Sequence, residues 1–239
     1  MNRVISFSGG KDSTALLLKC LEKGKKVHSV VFFDTGWEFP QMYEHINKVE
    51  EYTGVEIRKF HPKKPFLYYM LEKEVYNKKG ELTKIGRGWP NMNRRWCTAL
   101  KQVRIDQYLH LVPDVVSYIG FSYDEEKRKK KFLSNNKNGI KTKFPLIDIK
   151  MTEKGALDYC RKHGFDWGGL YDHFHRVSCF CCPLQSLWNL RKLKIHYPDL
   201  WKKMLLWESK IKGVKLYQNK ETVHSLNERF NKEFLLYDT

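Results

Sequence analysis

One segment near the start of the chain reads Val4-Ile5-Ser6-Phe7-Ser8-Gly9-Gly10-Lys11-Asp12-Ser13. A short apolar run stops in two adjacent glycines, and an apolar-periodic helix is predicted to begin at Ser13. Free backbone N–H groups and the helix dipole favour an anion at such a helix start. Gly9 and Gly10 let the backbone approach a phosphate closely. The segment therefore predicts a phosphate-binding loop between a strand and a helix.

The side chains of this loop add specific chemistry. Lys11 supplies a mobile positive charge, and Ser8 and Ser13 supply hydroxyl donors. Asp12 either caps the helix or holds Mg²⁺ indirectly. The alternative is an ordinary glycine turn with a solvated lysine, but the strand, loop and helix context favours the phosphate site.

The segment Ser8–Ser13 resembles the PP-loop of the N-type ATP pyrophosphatases, a superfamily that includes phosphoadenosine-phosphosulfate (PAPS) reductases, ATP sulfurylase small subunits and tRNA thiolation enzymes. Similar motifs follow in order: Phe33-Asp34-Thr35-Gly36, Arg95-Trp96-Cys97-Thr98, Ile119-Gly120-Phe121-Ser122, Phe144-Pro145-Leu146 and Cys179-Phe180-Cys181-Cys182-Pro183. This order resembles the PAPS reductase-like branch. The resemblance implies that ATP is cleaved between its α and β phosphates, giving AMP and pyrophosphate.

The hydrophobic pattern predicts alternating strands and helices. The strands are predicted at Val4–Phe7, Val27–Asp34, Val55–Phe60 and Val115–Gly120, and the helices at Ser13–Lys23, Gln41–Thr53 and Thr98–Leu109. This order predicts an α/β fold with a doubly wound parallel sheet, Rossmann-like and similar to the adenine nucleotide alpha hydrolases. Residues 1–183 are expected to form the nucleotide-binding domain with the cysteine site, and residues 184–239 a small C-terminal helical lobe.

Further nucleotide contacts are implied by the resemblance. It places Asp34 and Gly36 in a nucleotide-contacting motif, Gly120 against the nucleotide, and Arg128 facing a phosphate. Three strand ends, at Phe7, Asp34 and Gly120, should then converge at the carboxyl edge of the sheet. The family's usual pattern before Arg128 is Gly-x-Arg-x-x-Glu-Ser, from which this chain departs. Arg128 is therefore equally well interpreted as the start of a solvated lysine run.

Three cysteines lie within four residues, and the spacing of Cys179 and Cys182 lets two thiolates reach one metal. The resemblance pairs this segment with Cys97 as two halves of a cluster site. Either three ligands (Cys97, Cys179 and Cys182) or four, with Cys181, are expected. A [4Fe–4S] cluster is favoured, with Zn²⁺ or metal-free thiols that carry a persulfide as alternatives.

Four other residues of suggestive type receive a structural interpretation. Cys20 and Cys160 fall in helical patterns and are expected to be small buried hydrophobes. His173 and His175 lack helical i, i+4 spacing and are expected to be exposed loop residues rather than metal ligands.

The formal net charge of +17 on 239 residues calls for an anionic partner. The excess lies in two regions, Lys127-Arg128-Lys129-Lys130-Lys131 with Lys137, Lys141 and Lys143, and a tail with Arg191, Lys192, Lys194, Lys202 and Lys203. Aromatics accompany the tail, namely Trp188, Tyr197, Trp201 and Trp207. Mixed cations and stacking rings favour nucleic acid, whereas the alternative is a lysine-coated surface over a tryptophan core. No apolar run approaches the length of a membrane span, so a cytoplasmic protein without membrane contact is expected.

The sequence thus predicts an enzyme that uses ATP and Mg²⁺ to adenylate a substrate for sulfur transfer, onto tRNA or DNA. Lys11, Asp12, Cys97 and Cys182 are the expected catalytic residues. A cysteine desulfurase is one conceivable sulfur donor, and the oligomeric state, a homodimer included, stays open. The first alternative is a sulfonucleotide reductase, against which the lack of a cysteine after Cys182 argues. The second is a zinc-stabilised, non-catalytic nucleic-acid-binding module.

Overall fold

The structure is a computed structural model that describes residues 1–91, 95–136, 138–213, 215–218 and 221–237, the last four of these without their side chains. Lys137, part of the predicted basic run, lies outside the described residues. The strands are β1 (Asn2–Phe7), β2 (Ser29–Phe33), β3 (Ile57–Phe60), β4 (Glu74–Tyr76), β5 (Leu82–Ile85), β6 (Val115–Ile119) and β7 (Lys141–Lys143).

The helices lie between and after these strands along the sequence. They are α1 (Lys11–Glu22), α2 (Pro40–Thr53), α3 (Phe66–Leu71), α4 (Trp96–Leu111), α5 (Glu126–Asn135), α6 (Pro145–Asp148), α7 (Glu153–Lys162), α8 (Leu170–His173), α9 (Leu187–His196), α10 (Pro198–Lys210) and α11 (Val223–Tyr237). Two short 3₁₀ segments occupy Tyr123–Glu125 and Trp167–Gly169. Among the helices described, none has the length and apolarity to cross a bilayer.

The chain forms two compact units that interleave along the sequence. The first unit comprises Met1–Asp34, Glu38–His61 and Leu100–Leu170, and the second comprises Thr35–Trp37, Pro62–Ala99 and Tyr171–Thr239. The predicted domain boundary between residues 183 and 184 stays a prediction, because these two units do not test whether the two predicted parts fold separately.

The first unit contains the predicted parallel sheet, which is thereby confirmed. Its strand order is β3-β2-β1-β6-β7, and every neighbouring pair is parallel. All five residues of β2 are buried, as expected for a strand covered on both faces. The edge strands carry charges instead, with Arg58 and Lys59 on β3 and Lys141 and Lys143 on β7. Such charged edges discourage pairing with another chain.

The second unit is built around aromatic rings and a buried carboxylate. The ring of Trp37 contacts those of Phe66, Trp89, Trp96 and Trp207, with centroid separations between 5.2 and 6.3 Å.

Glu208, on α10, is fully buried and accepts hydrogen bonds from the indole of Trp89 and the backbone N–H groups of Val223 and His224. The buried carboxylate of Glu208 thus provides acceptors for backbone N–H groups at the N-terminus of α11.

Candidate functional site

The carboxyl ends of three strands lie side by side in the first unit. In the sheet register, Phe7 of β1 is opposite Phe32 of β2, and Ser6 is opposite Ile119 of β6. The residues that follow these strands therefore share one edge of the sheet. The predicted convergence of the three strand ends is confirmed.

The loop Ser8–Ser13 is tied to itself by its two serines. The hydroxyl of Ser13 accepts from the backbone N–H of Ser8 at 3.1 Å and donates to the carbonyl of Gly10 at 2.9 Å. Gly9 has φ +78°, and a Cβ there would lie 2.3 Å from the sulfur of Met42. Only glycine meets both conditions. Helix α1 begins at Lys11 without a side-chain cap hydrogen bond, and the N–H groups at such a helix start favour an anion.

Gly120 holds the end of β6 against this loop. A Cβ at Gly120 would lie 3.0 Å from the carbonyl carbon and oxygen of Asp12 and 3.1 Å from the Cα of Ser13. The backbone of one strand end thus rests directly on the start of α1. Gly120 therefore lies beside the phosphate loop. Its close contacts are with the backbone of Asp12 and Ser13, and its predicted contact with the nucleotide stays a prediction.

Lys11 lies between two carboxylates. Its side chain is 8% exposed, and its Nζ is 2.8 Å from an oxygen of Asp12 and 3.2 Å from an oxygen of Glu153. Burial raises the pKa of Asp12, and the positive charge of Lys11 opposes that rise. Glu153 starts α7, where its backbone N–H donates to Asp124 at 2.7 Å. Sequence reasoning missed Glu153, because it is 142 residues from Lys11 in the chain.

Asp34 and Arg128 have partners within the protein. The Asp34 carboxylate accepts a hydrogen bond from Tyr43 at 2.8 Å and lies 3.7 Å from the ring of His61. Arg128 pairs with Glu125 at 2.5 Å and stacks 4.4 Å from the ring centroid of Phe121. Asp34 therefore lies at the sheet edge as predicted, while Arg128 is anchored by the segment that follows Gly120. Whether either residue contacts a nucleotide stays a prediction.

The second unit contains the four cysteines predicted to form a site. Cys97 lies in the first turn of α4, and its thiol is 4.0 Å from the hydroxyl of Thr98. Burial raises the pKa of Cys97, and the negative charge of Cys182 raises it further despite the hydrogen bond with Thr98. Cys97 and Cys182, distant in sequence, therefore interact electrostatically.

The cysteine segment is fixed by a buried glutamine. The side-chain amide of Gln185 donates to the carbonyls of Cys179 and Phe180 at 3.1 and 2.8 Å. The thiol of Cys179 lies 3.4 Å from the hydroxyl of Thr35, and the N–H of Phe180 donates to the carbonyl of Trp37. Gly36, with φ +72°, thus belongs to a segment that packs on the cysteines.

Tyr217 is the residue of this region that sequence reasoning missed. It is 1% exposed, and within the described part of the chain its hydroxyl has no hydrogen-bond partner. Burial raises its pKa well above the usual value, and the charges of Cys181, Cys182 and Cys179 add to that rise. The motif spacing gave no signal for Tyr217, because helices α9 and α10 separate it from Cys182 in the sequence.

The chemistry of four thiols fits iron–sulfur clusters or zinc. Cys97, Cys179 and Cys182 are half-buried and Cys181 is fully buried. Across the described residues, no three His, Cys, Asp or Glu side chains are arranged to hold a metal ion. A bound metal therefore stays a prediction that rests on the donor type.

Several residues occupy structural positions. Cys20 and Cys160 are buried, as expected for small hydrophobes. His173 stacks on His196 at 3.8 Å, and His175 stacks on Trp188 at 4.3 Å. Trp201 is 3% exposed and the ring of Trp207 stacks on Trp37, so these two tail tryptophans belong to a core. Trp188 is 39% exposed and keeps the predicted surface character.

A family comparison identifies the class of protein that this fold and loop define. The profile of the phosphoadenosine phosphosulfate reductase domain matches residues 2–185. The chain belongs to this family, and with it to the PP-loop superfamily of nucleotide-using enzymes.

The individual relatives and the solved structure that match this chain share low sequence identity with it. Two uncharacterized proteins of Methanocaldococcus jannaschii are 26% and 28% identical over 86% and 83% of this chain. The chain spans only 40% and 45% of their lengths. An adenosine 5'-phosphosulfate reductase 2 of Bacillus subtilis is 28% identical over 72% of this chain and 68% of its own length. The structure of U34-tRNA thiolase NcsA from Methanococcus maripaludis with its [4Fe-4S] cluster aligns at a TM-score of 0.46 and 14% identity, covering 96% of this chain and 80% of that chain.

Proposed function

We propose that this protein is an ATP pyrophosphatase that forms AMP and pyrophosphate and adenylates a nucleic acid, tRNA or DNA, for sulfur transfer. The observation that carries the proposal is the pair of carboxylates, Asp12 and Glu153, beside Lys11 in the phosphate loop. Nucleotide-bound Mg²⁺ is usually held by one or two carboxylates together with substrate phosphates. The pair therefore suits Mg²⁺-ATP better than a metal-free phosphosulfate, which the carboxylates would repel.

The loop residues then have distinct roles. Lys11 transfers its ion pair from the carboxylates to the phosphates, and the N–H groups at the start of α1 bind phosphate oxygens. When bound, Mg²⁺ neutralises phosphate charge from the side of Asp12 and Glu153. A substrate oxygen attacks the α-phosphorus, the bond to the β-phosphate oxygen breaks, and pyrophosphate leaves. Lys11 stabilises the charge that develops on this leaving group.

The cysteines supply the second half of the proposed reaction. A sulfur nucleophile attacks the atom that carries the adenylated oxygen, a base carbon in tRNA or a backbone phosphorus in DNA. A bond to sulfur forms as the bond to that oxygen breaks, and AMP leaves. Cys97 and Cys182 are the proposed sulfur-handling residues because the charge of Cys182 acts on Cys97, although the two are distant in sequence. With them, Cys179 and Cys181 would complete the set of ligands for a [4Fe–4S] cluster, or for Zn²⁺ as the alternative. When bound, the cluster supplies iron, which holds sulfur.

The acceptor is proposed from charge. Helix α5 carries Lys127, Lys130 and Lys131 on its exposed surface, and it follows β6, whose end contributes Gly120 to the loop region. A basic helix near the phosphate loop fits a polyanionic acceptor, in line with the net charge of +17. A cysteine desulfurase as the sulfur source is part of the same proposal.

The test measures AMP and pyrophosphate from ATP on anaerobically purified protein, with Mg²⁺ and with or without total tRNA or DNA. Iron and acid-labile sulfide are measured on the same sample. We expect nucleic-acid-stimulated AMP release that Lys11→Met abolishes. The matched control is Lys19→Met, which removes a lysine of α1 that pairs with Glu22 away from the loop. No AMP from ATP under any of these conditions would contradict the proposal.

A second candidate, sulfonucleotide reduction, is favoured by one specific observation. The named relative from Bacillus subtilis is an adenosine 5'-phosphosulfate reductase. The same preparation is therefore assayed with PAPS and adenosine 5'-phosphosulfate and a thiol reductant. Sulfite release without AMP formation from ATP would replace the first proposal by this one.

A further inference from the structure

The turn Trp167–Gly169 has an unusual backbone. Trp167, Gly168 and Gly169 have φ values of 55°, 57° and 79°, so three successive residues are left-handed. A tryptophan in this region is strained and persists only where the surroundings fix it. The surroundings do so here, because Trp167 is 1% exposed.

The strained tryptophan points at the phosphate loop. Its indole N–H donates to the carbonyl of Gly9 at 2.7 Å, across 158 residues of sequence. A trans peptide is planar, so its C=O and N–H point in opposite directions. Fixing the Gly9 carbonyl toward Trp167 therefore directs the N–H of Gly10 away from Trp167. Within the described part of the chain, that N–H makes a long 3.4 Å contact with the hydroxyl of Ser8 and no shorter one, so it is oriented to reach a phosphate oxygen.

A histidine holds this arrangement from α2. The ring of His45 stacks on Trp167 with centroids 4.4 Å apart, and its Nε2 lies 3.0 Å from the hydroxyl of Thr14 on α1. His45 is 3% exposed, and burial lowers its pKa to about 3, so the ring is neutral near pH 7. The N–H of Thr14 in turn donates to the carbonyl of Gly10 at 3.0 Å. His45 therefore connects Trp167 to the first turn of α1.

We infer that Trp167 and His45 are positioning residues that hold the Gly9–Gly10 peptide in the orientation needed to bind a nucleotide phosphate. As far as it concerns a nucleotide, the inference rests on the proposed function. Without the indole donor, the Gly9 carbonyl is free to rotate toward the loop interior, where it would repel an anion. The loop is thus preorganised by a turn that lies outside the glycine-rich motif.

Trp167→Phe tests the inference, because it keeps an aromatic ring beside His45 and removes the indole N–H; the loss of ring volume is shared by the control variant. The matched control is Trp201→Phe, which removes an indole N–H bonded to Asn227 at 2.9 Å in the second unit. Two quantities are measured: the Kd of Mg²⁺-ATP by calorimetry, and hydrogen–deuterium exchange of peptides covering residues 8–14. We expect Trp167→Phe to weaken ATP binding about tenfold. Exchange in the loop should become faster, and Trp201→Phe should change neither quantity.

His45→Phe is the second variant, used with the first or in its place if Trp167→Phe does not fold. It keeps a stacked ring and removes the link to Thr14, so it should also accelerate exchange in residues 8–14. Wild-type affinity with unchanged loop exchange in both variants would overturn the inference while leaving the proposed function intact. If wild type binds no ATP, the proposed function fails instead. The exchange data alone then decide whether Trp167 and His45 hold the loop.

Discussion

The individual thiols of this protein differ in exposure, and this difference predicts which of them react with an alkylating reagent. Cys97, Cys179 and Cys182 are half-buried, whereas Cys20, Cys160 and Cys181 are buried. We expect N-ethylmaleimide to modify only the first three in native, metal-free protein, as read by peptide mass spectrometry. Because burial raises the pKa of Cys97, its labelling rate should still be rising above pH 9. Unfolded protein in urea is the control, where all six thiols should react.

An N-ethylmaleimide adduct on Cys160 in native protein would contradict the prediction that the buried thiols stay unmodified. Its thiol donates to the carbonyl of Lys11 at 3.4 Å, and burial raises its pKa to about 12. Such an adduct would mean that the first turn of α1 opens readily.

The hydroxyl of Tyr217 gives a residue-level prediction with an unusual sign. Burying a hydroxyl without a partner costs about 1–3 kcal/mol, so Tyr217→Phe should raise the free energy of unfolding of metal-free protein by about 1 kcal/mol. Tyr108→Phe is the matched control, because the Tyr108 hydroxyl donates to Ser29 at 2.9 Å, and its loss should lower stability by about 1 kcal/mol. Urea unfolding measures both. A destabilised Tyr217→Phe would show that this hydroxyl has a partner in solution.

At the scale of elements, the sequence predicted what hydrophobic periodicity encodes. The strands of the sheet interior and helices α1 and α2 begin and end within two residues of their predicted bounds. Strand β7 was missed, because Lys141-Thr142-Lys143 is a charged edge of three residues without alternation. The hairpin of β4 and β5 was missed because its residues are mostly exposed. Elements without an apolar pattern depend on tertiary pairing, which a single sequence does not show.

The residues of the candidate site also divide into those that the sequence predicted and those that it did not. Its phosphate loop was predictable because all six residues are consecutive and each has a chemical role. Glu153, Trp167 and Tyr217 were not, because each reaches its site through a contact across a long stretch of sequence. Such residues carry no local signal before the fold is known.

The contact between β6 and α1 gives the prediction at this scale. A methyl group at Gly120 would meet the Asp12 carbonyl at 3.0 Å, and backbone atoms cannot easily move aside. Gly120→Ala should therefore lower the free energy of unfolding by about 1–3 kcal/mol and weaken Mg²⁺-ATP binding. Gly155→Ala, in helix α7, meets side chains and no backbone, the Thr152 hydroxyl at 3.2 Å and the Met151 Cγ at 3.9 Å, and should be close to neutral. Denaturant titration and calorimetry report on the pair, and equal behaviour of both variants would refute the close packing.

At the scale of the whole molecule, the excess of positive charge is the property that demands a partner. Part of it is neutralised internally, since Arg191 pairs with Glu233 at 2.6 Å. Lys194 keeps its charge, but its ammonium is held by the carbonyl of Asn227 at 3.1 Å. Tail residues of this kind hold α9 and α11 together. Lys202 and Lys203 of α10 are exposed, and so are Lys127, Lys130 and Lys131 of α5. Helix α5 differs because it follows β6, whose end contributes Gly120 to the phosphate-loop region. We therefore propose α5, rather than the tail, as the polyanion-binding surface.

Reversing the charges of α5 tests that assignment. Lys127→Glu, Lys130→Glu and Lys131→Glu are combined, and the control combines Lys23→Glu, Lys63→Glu and Lys64→Glu, which are exposed lysines elsewhere. Both variants change the net charge equally, so a purely global effect would weaken binding of labelled tRNA or single-stranded DNA to the same extent. If α5 contacts phosphates, its variant should lose more than about tenfold in affinity near 0.1 M salt, and the slope of log K against log salt should fall by about one to three. The control should keep the wild-type slope, because released counterions report only those lysines that touch the nucleic acid.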